Sequence, residues 1–300
     1  MIIERILKAQ KMGFTSASLF LVATVNVQAQ FDYTTLSVSG SVSTGAEGIS
    51  GNSIVGSYSQ GGRSSYNFLY DGDTYTTLNV TGYVHGISGN NIVGSIDRLG
   101  FVYDGSSYST LSVPGGFYTI ATGISGYNIV GRYYRSSDYT IQGFLYDGSS
   151  YATLSVPGAT TTDVCGIDGS RVVGYYYNSA DYVAHGFLYD GSSYMTLDVP
   201  GADSTYVYGI SGNNVVGYYR SGTSFQGFLY DGSGFTTLSV PGAVNTFARG
   251  IDGNNIVGSY QSGGGGYGFL TFVPEPSALA MQVVGAATLL IGRRRFLPRL

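Results

Sequence analysis

The chain has 300 residues, of which only 32 are charged (14 Lys or Arg and 18 Asp or Glu), with 47 Gly, 28 Tyr and no Trp. A composition 43% hydrophobic and 14% aromatic excludes a disordered chain. Charge of 11%, against ~25% in ordinary domains, leaves Ser, Thr, Asn and Tyr to make the surface polar, and the length allows one or two domains with a sizeable core.

Residues 1–29 carry Arg5, Lys8 and Lys11, an apolar run from Gly13 to Val25, and then Val27-Gln28-Ala29 with small residues where a signal peptidase reads. This order predicts a secretory signal cleaved after Ala29. The apolar run is too short for a comfortable membrane span.

From residue 30 to 273 the chain repeats itself. A Gly-Ile pair recurs with its glycine at Gly48, Gly86, Gly123, Gly166, Gly209 and Gly250, in steps of 38, 37, 43, 43 and 41. The glycine closing Ile/Val-Val-Gly recurs in the same steps at Gly56, Gly94, Gly131, Gly174, Gly217 and Gly258. An aromatic strand recurs at Phe68, Phe101, Phe144, Phe187, Phe228 and Phe269, and a Thr-Leu strand at Leu36, Leu78, Leu111, Leu154, Leu197 and Leu238. Each copy therefore has four short β-rich runs and no helix-period stretch. In the fifth copy they are predicted at 206–211, 214–219, 226–230 and 235–240. Gly and Asn in Ser211-Gly212-Asn213 are expected to supply positive φ for a hairpin, as Asp231-Gly232 does for the next.

The Val-Pro-Gly link sets the phase. Pro157 and Pro200 cannot donate to a ladder, so the Thr-Leu strand ends there and the chain crosses to a new sheet. The fold class predicted is all-β: a six-bladed β-propeller-like array of four-stranded antiparallel repeats, flanked by a signal peptide and a C-terminal sorting helix, with a β-solenoid as the alternative. One strand is left over at each end, so Tyr33–Val38 is expected to pair with Phe269–Val273 and latch the ring. The unit also resembles the extracellular repeats called HAF, with His185-Gly186-Phe187 in the fourth copy. That resemblance implies secretion and no activity.

Beyond the repeats, Val273-Pro274-Glu275-Pro276-Ser277 precedes an apolar stretch from Ala278 to Gly292 and then Arg293-Arg294-Arg295. As a helix the stretch reaches ~22 Å against a ~30 Å hydrocarbon core, which suits transient retention with the arginines on the cytoplasmic side. The segment resembles the PEP-CTERM sorting signal over roughly 273–297. The resemblance implies processing by an exosortase near Pro274, Glu275 and Pro276, and transient anchoring in the inner membrane of a Gram-negative bacterium that makes exopolysaccharide. An ordinary C-terminal membrane anchor is the alternative.

Residues 30–276 hold seven Arg, no Lys and seventeen Asp or Glu, a net charge of −10. That excludes the basic footprint of a nucleic-acid binder. One cysteine, Cys165, excludes an internal disulfide. His85 and His185 lie in different copies, and no Ser-His-Asp grouping, zinc spacing or phosphate loop appears, so no enzyme activity is predicted. The competing class is a polysaccharide-acting enzyme on a propeller scaffold, which would need two carboxylates at a defined separation.

Asp71, Asp104, Asp147, Asp190 and Asp231 recur one per turn and read as turn formers; calcium is the alternative role. More informative is the residue before each Gly-Ile glycine, which changes while its neighbours barely do: Glu47, His85, Thr122, Cys165, Tyr208 and Arg249. If that strand is innermost, these six ring a central channel, and Glu47, His85, Tyr208 and Arg249 are the ligand candidates, the bland reading being an exposed position free to vary. Tyr133-Tyr134, Tyr175-Tyr176-Tyr177 and Tyr218-Tyr219 suit either sugar stacking or packing. The function expected is an exported cell-surface or extracellular-matrix protein with a structural or binding role, its partners being signal peptidase and exosortase during export and exopolysaccharide afterwards.

Overall fold

The computed structural model describes residues 31–61 and 65–274. The signal segment with Ala29, and Glu275, Pro276 and Arg293–Arg295 of the sorting signal, lie outside the described residues. Among those described there are twenty-four strands, and no helix long and apolar enough to cross a membrane.

The strands form six four-stranded antiparallel blades, each a meander in chain order except the last, which takes its outer strand from the start of the chain; a single parallel pair, Ser43 opposite Gly266, joins the last and first blades into one eight-stranded sheet. The first blade is β2 (Ser43–Ser50), β3 (Ser53–Ser59), β4 (Ser65–Tyr70) and β5 (Tyr75–Leu78). The second is β6 (Tyr83–Ser88), β7 (Asn91–Ile96), β8 (Leu99–Tyr103) and β9 (Tyr108–Leu111), and the third β10 (Gly116–Ser125), β11 (Asn128–Arg135), β12 (Ile141–Tyr146) and β13 (Tyr151–Leu154). The fourth is β14 (Thr161–Asp168), β15 (Arg171–Tyr177), β16 (His185–Tyr189) and β17 (Tyr194–Thr196). The fifth is β18 (Ser204–Ser211), β19 (Asn214–Ser221), β20 (Ser224–Tyr230) and β21 (Phe235–Leu238). The sixth joins β22 (Asn245–Asp252), β23 (Asn255–Ser262) and β24 (Gly265–Phe272) to β1 (Tyr33–Leu36).

That last pairing is the expected latch, with Tyr33 opposite Thr271 and Leu36 opposite Gly268. Leu36 is buried at the seam with Val257 and Phe68, Thr271 Oγ1 donates to the Asp32 carbonyl at 2.7 Å, and the Tyr33 ring meets Phe269 edge-on at 5.6 Å. The chain's two ends thus complete one blade, and β1 covers what would otherwise be the open edge of β24.

The ring is closed as well as latched. A Cβ placed on Gly48 would lie 3.0 Å from the Gly86 Cα; on Gly86, 3.0 Å from the Thr122 carbonyl; on Gly123, 2.9 Å from that of Cys165. The series continues from Gly166 to the Tyr208 carbonyl at 2.5 Å, from Gly209 to that of Arg249 at 3.1 Å, and from Gly250 back to that of Glu47 at 3.2 Å. The innermost strands of successive blades meet at these glycines, because no other residue lets backbones come so close. A solenoid, the alternative expected from the sequence, does not return to its start, so this cycle of contacts overturns it.

Within each blade a second glycine faces a phenylalanine across the ladder, as Gly131 faces Phe144. All six such rings, Phe68 to Phe269, are almost wholly buried. Each covers the bare backbone of its glycine, and six apolar clusters lie one at each blade interface. The crossover link is a type II turn: Gly158 has φ 79° and the Ala159 N–H donates to the Val156 carbonyl at 3.1 Å, the place for Pro then Gly. One turn differs from expectation. At the inner hairpin only Gly212 takes positive φ, 55°, and Asn213 does not, which fits a II′ turn with glycine in its first central position.

Candidate functional site: the central channel

Each innermost strand carries a β-bulge at the variable position. In the first blade Ala46 pairs with Gly56 and Gly48 with Val55, leaving Glu47 as the extra residue. The same interruption leaves out His85, Thr122, Cys165, Tyr208 and Arg249. A bulge re-aims a side chain without ending the strand. Here it turns six otherwise dissimilar residues onto one cavity of about 180 Å³, lined by all six together with the Gly-Ile pairs and Arg132. The four candidates read from the sequence, Glu47, His85, Tyr208 and Arg249, therefore line the same space.

The cavity wall is not uniform. Between the third and fourth blades Arg132 Nη1 donates to both oxygens of Asp163 at 2.7 and 2.8 Å, and the Tyr175 hydroxyl donates to Asp163 Oδ2 at 3.1 Å. Burial pushes the Asp163 carboxyl up while Arg132 and Tyr175 pull it back. Beside them Thr122 Oγ1 donates to the Val164 carbonyl at 2.7 Å. Cys165 is buried, its thiol pushed up by burial and then by the Asp163 charge.

Between the fifth, sixth and first blades the arrangement is looser. The Arg249 guanidinium lies 4.5 Å over the Tyr208 ring and 5.4 Å from that of Tyr218, and the two tyrosine hydroxyls are 3.2 Å apart. Glu47 Oε2 stands 3.9 Å from Arg249 Nε, an ion pair beyond hydrogen-bonding reach. Burial opposes the Arg249 charge, and Glu47 together with Tyr208, Tyr218 and Cys165 outweighs it, so the net shift is upward. His85, on the second blade, is 3.4 Å from Ser95 Oγ. Its pKa is lowered to about 4, first by burial and then by the charges of Arg132 and Arg249, so it lines the channel as a neutral ring at pH 7.

Sequence reasoning missed Arg132 and Asp163, and it named Tyr175 and Tyr218 only as members of tyrosine runs suited to sugar stacking or packing. A signal existed: the residue after each Val-Gly glycine also varies, as Ser57, Ser95, Arg132, Tyr175, Tyr218 and Ser259. The tyrosine runs divide by alternation. Tyr175 and Tyr218 stand behind the channel ring, whereas the hydroxyls of Tyr133, Tyr176 and Tyr219 reach Thr153, Thr196 and Thr237 on the outermost strands.

The recurrent aspartates are far from this chemistry. In the third blade Asp147 Oδ1 accepts from the backbone and hydroxyl of Ser149 and from the Ser150 N–H at 2.7–2.8 Å, and these bonds hold its carboxyl well below the usual range. Asp104, Asp190 and Asp231 are engaged in the same way, as is Asp71. Among the described residues no group of three or more His, Cys, Asp or Glu is placed to hold a metal ion.

No protein-family model and no curated protein matches this chain. Solved structures do resemble it. The Aleuria aurantia lectin in complex with alpha-methyl-L-fucoside superposes with a TM-score of 0.51 at 14% identity, over 81% of this chain and 95% of the lectin. A second structure of that fungal lectin, described as a six-bladed β-propeller, gives 0.50 at 15% identity over 80% and 94%. The Pyrococcus horikoshii acylaminoacyl peptidase gives 0.51 at 11% identity, and this chain covers 55% of it. At such identities the likeness is one of fold, and the chain is a six-bladed β-propeller.

Proposed function

We propose that this protein is an exported, non-catalytic binding component of the cell surface or extracellular matrix, and that it holds exopolysaccharide through the central channel. The observation that carries the reading is the bulged ring: six equivalent positions on a repetitive scaffold hold six different side chains, all aimed into one cavity. Conformity at the flanking positions serves the fold, and diversity at the ring serves recognition of an asymmetric ligand. Two sequence features support export: the signal-like segment before Gln30, and the Pro-Glu-Pro, apolar and Arg-rich order of residues 274–295. In this reading signal peptidase removes the first 29 residues, and an exosortase processes the tail at the inner membrane of a Gram-negative cell. A lectin among the structural neighbours shows that this scaffold carries a fucoside in another protein.

The engagement of the aspartates in their own turns supports a role without hydrolysis, since general acid and base work needs a carboxylate pair flanking the substrate. The test incubates the exported protein with the host's own exopolysaccharide, then measures co-sedimentation and polymer length by size-exclusion chromatography. Binding with unchanged length is expected. Shortened chains would establish the enzyme instead, and absence of binding would overturn the reading.

A further inference from the structure

The two channel arginines differ in how far the protein satisfies them. Arg132 also has a buried Nε without a partner, but its Nη1 is held by both oxygens of Asp163, itself braced by Tyr175. Arg249 makes no hydrogen bond to the protein among the described residues: its buried Nε has no partner, its guanidinium rests on Tyr208 and Tyr218, and its nearest carboxylate is 3.9 Å away. Glu47, that carboxylate, likewise makes no hydrogen bond. Both side chains are about three-quarters buried, with 25% and 27% of their surface exposed. A guanidinium has five N–H donors and a carboxylate four acceptor sites, and such groups are seldom withdrawn from water without partners.

We infer that the ligand seat is the arc formed by Tyr208, Arg249 and Glu47, and that it takes the hydroxyl-bearing edge of an uncharged sugar; this rests on the binding role proposed above. The argument is one of donor and acceptor matching. A hydroxyl accepts from the guanidinium and donates to the carboxylate at the same time, and adjacent hydroxyls on a sugar ring do so in pairs. A ligand carboxylate would gain Arg249 but sit against Glu47, and a ligand ammonium would gain Glu47 but sit against Arg249. Contact with two tyrosine rings, at 4.5 and 5.4 Å, restrains the guanidinium before the ligand arrives. The cavity of about 180 Å³ equals about six waters at ~30 Å³ each, on the scale of one sugar ring. On the opposite arc the Arg132 Nε is also buried without a partner, but Arg132 Nη1 is already taken by both oxygens of Asp163 and Thr122 Oγ1 by the Val164 carbonyl, so no carboxylate there is left without a hydrogen bond as Glu47 is.

The experiment is calorimetric titration of the exported protein with methyl glycosides of glucose, galactose, mannose and fucose, with N-acetylglucosamine, and with glucuronate and galacturonate. At least one neutral sugar should bind, about tenfold or more tighter than either uronate. Glu47→Ala and Arg249→Gln should each weaken that sugar by about tenfold or more, the usual weight of a hydrogen bond to a charged group. Glu47→Gln, which keeps shape and hydrogen bonding, should weaken the neutral sugar less and bring uronate binding up toward it. Thermal melting of each variant separates lost binding from lost folding, and Glu47→Gln decides the matter if the other two unfold. Uronates binding more tightly than neutral sugars, or a neutral sugar unaffected by all three substitutions, would overturn this seat while leaving the binding role standing. Failure of every sugar to bind at millimolar concentration would overturn both.

Discussion

His85 and His185 titrate in opposite directions. His185 opens the third strand of the fourth blade with Nδ1 2.7 Å from Asp198 Oδ2 and Nε2 3.0 Å from Asp181 Oδ2. Burial disfavours its charge, but the two carboxylates outweigh burial and raise its pKa. Its protonated form therefore adds stability in full below the unfolded value of ~6.5, and that contribution is lost as pH rises through the higher folded value. His85 has the reverse sign: held near 4, it stays neutral while the unfolded chain takes up a proton, so stability is lost as pH falls from ~6.5 toward 4. Melting curves between pH 4 and 9 should show His185→Asn flattening the alkaline side of the profile only, and His85→Asn the acid side only. A profile unchanged by either would contradict the assigned charges. The glycines give a second residue-scale test. Gly166→Ala would drive a methyl to 2.5 Å from the Tyr208 carbonyl, whereas the space around Gly234 is open to 4 Å. Overpacking costs about 1–3 kcal/mol, or roughly 2–12 °C in a domain of this size, so Gly166→Ala should melt lower by that amount and Gly234→Ala should not. Equal melting temperatures would remove the close approach at the ring's centre. The repeats already separate the two, since Gly166 is glycine in every copy whereas the place of Gly234 holds Thr74, Ser107, Ser150 and Ser193 elsewhere; the fold gives the reason.

At the scale of elements, the hairpins, the Val-Pro-Gly crossover and the split last blade were legible in the sequence, because each rests on local chemistry: a positive φ, a missing N–H, an alternation of two. The fifth blade's strands run 204–211, 214–221, 224–230 and 235–238, where 206–211, 214–219, 226–230 and 235–240 were expected. The first three strands extend further because Ser204 pairs with Arg220, Arg220 with Phe225 and Ser221 with Ser224, and the outermost strand ends at Leu238 before the turn. The bulge was not legible. It is one residue unmatched across a pair of strands, and a single strand's sequence does not record register. Variation at Glu47 and its equivalents marked the place without giving its cause. The latch is the element on which closure depends, and residues 30–38 can be deleted to test it. Removing them forfeits burial of Leu36, about 1.5–3 kcal/mol, and part burial of Tyr33, which together with the exposed edge of β24 brings the loss to roughly 3–6 kcal/mol. Melting should fall by roughly 6–24 °C, at ~2–4 °C per kcal/mol. An unchanged melting temperature would mean that the first strand is ornamental.

Across the whole molecule the question is whether six blades behave as six units or as one ring. Each blade shares its apolar core with its neighbours, as in a linear repeat array, where loss of one unit frays outward and leaves distant units intact. Closure changes that expectation: the glycine contacts run through all six blades and return to Glu47, so opening one seam relaxes the geometry of every other. Cys165 reports on this, since it is the only cysteine in the chain and lies in the fourth blade, away from the latch between the sixth and first. It is protected twice, by burial at the channel and by a pKa that burial and the Asp163 charge hold well above the usual thiol value, so that little nucleophilic thiolate forms. In the intact protein its reaction with a disulfide reagent at pH 8 should be slow and should follow unfolding. If the ring is one cooperative body, deleting residues 30–38 should speed that reaction by about tenfold or more, at a temperature where circular dichroism still shows sheet. If blades open independently, the deletion should loosen the sixth and first blades and leave the Cys165 rate unchanged. The same experiment bears on the channel as a binding site. A ring that opens as a whole would lose the alignment of Arg249 with Glu47, which belong to the two blades that the latch joins, so sugar binding and thiol protection should be lost together as the latch is weakened.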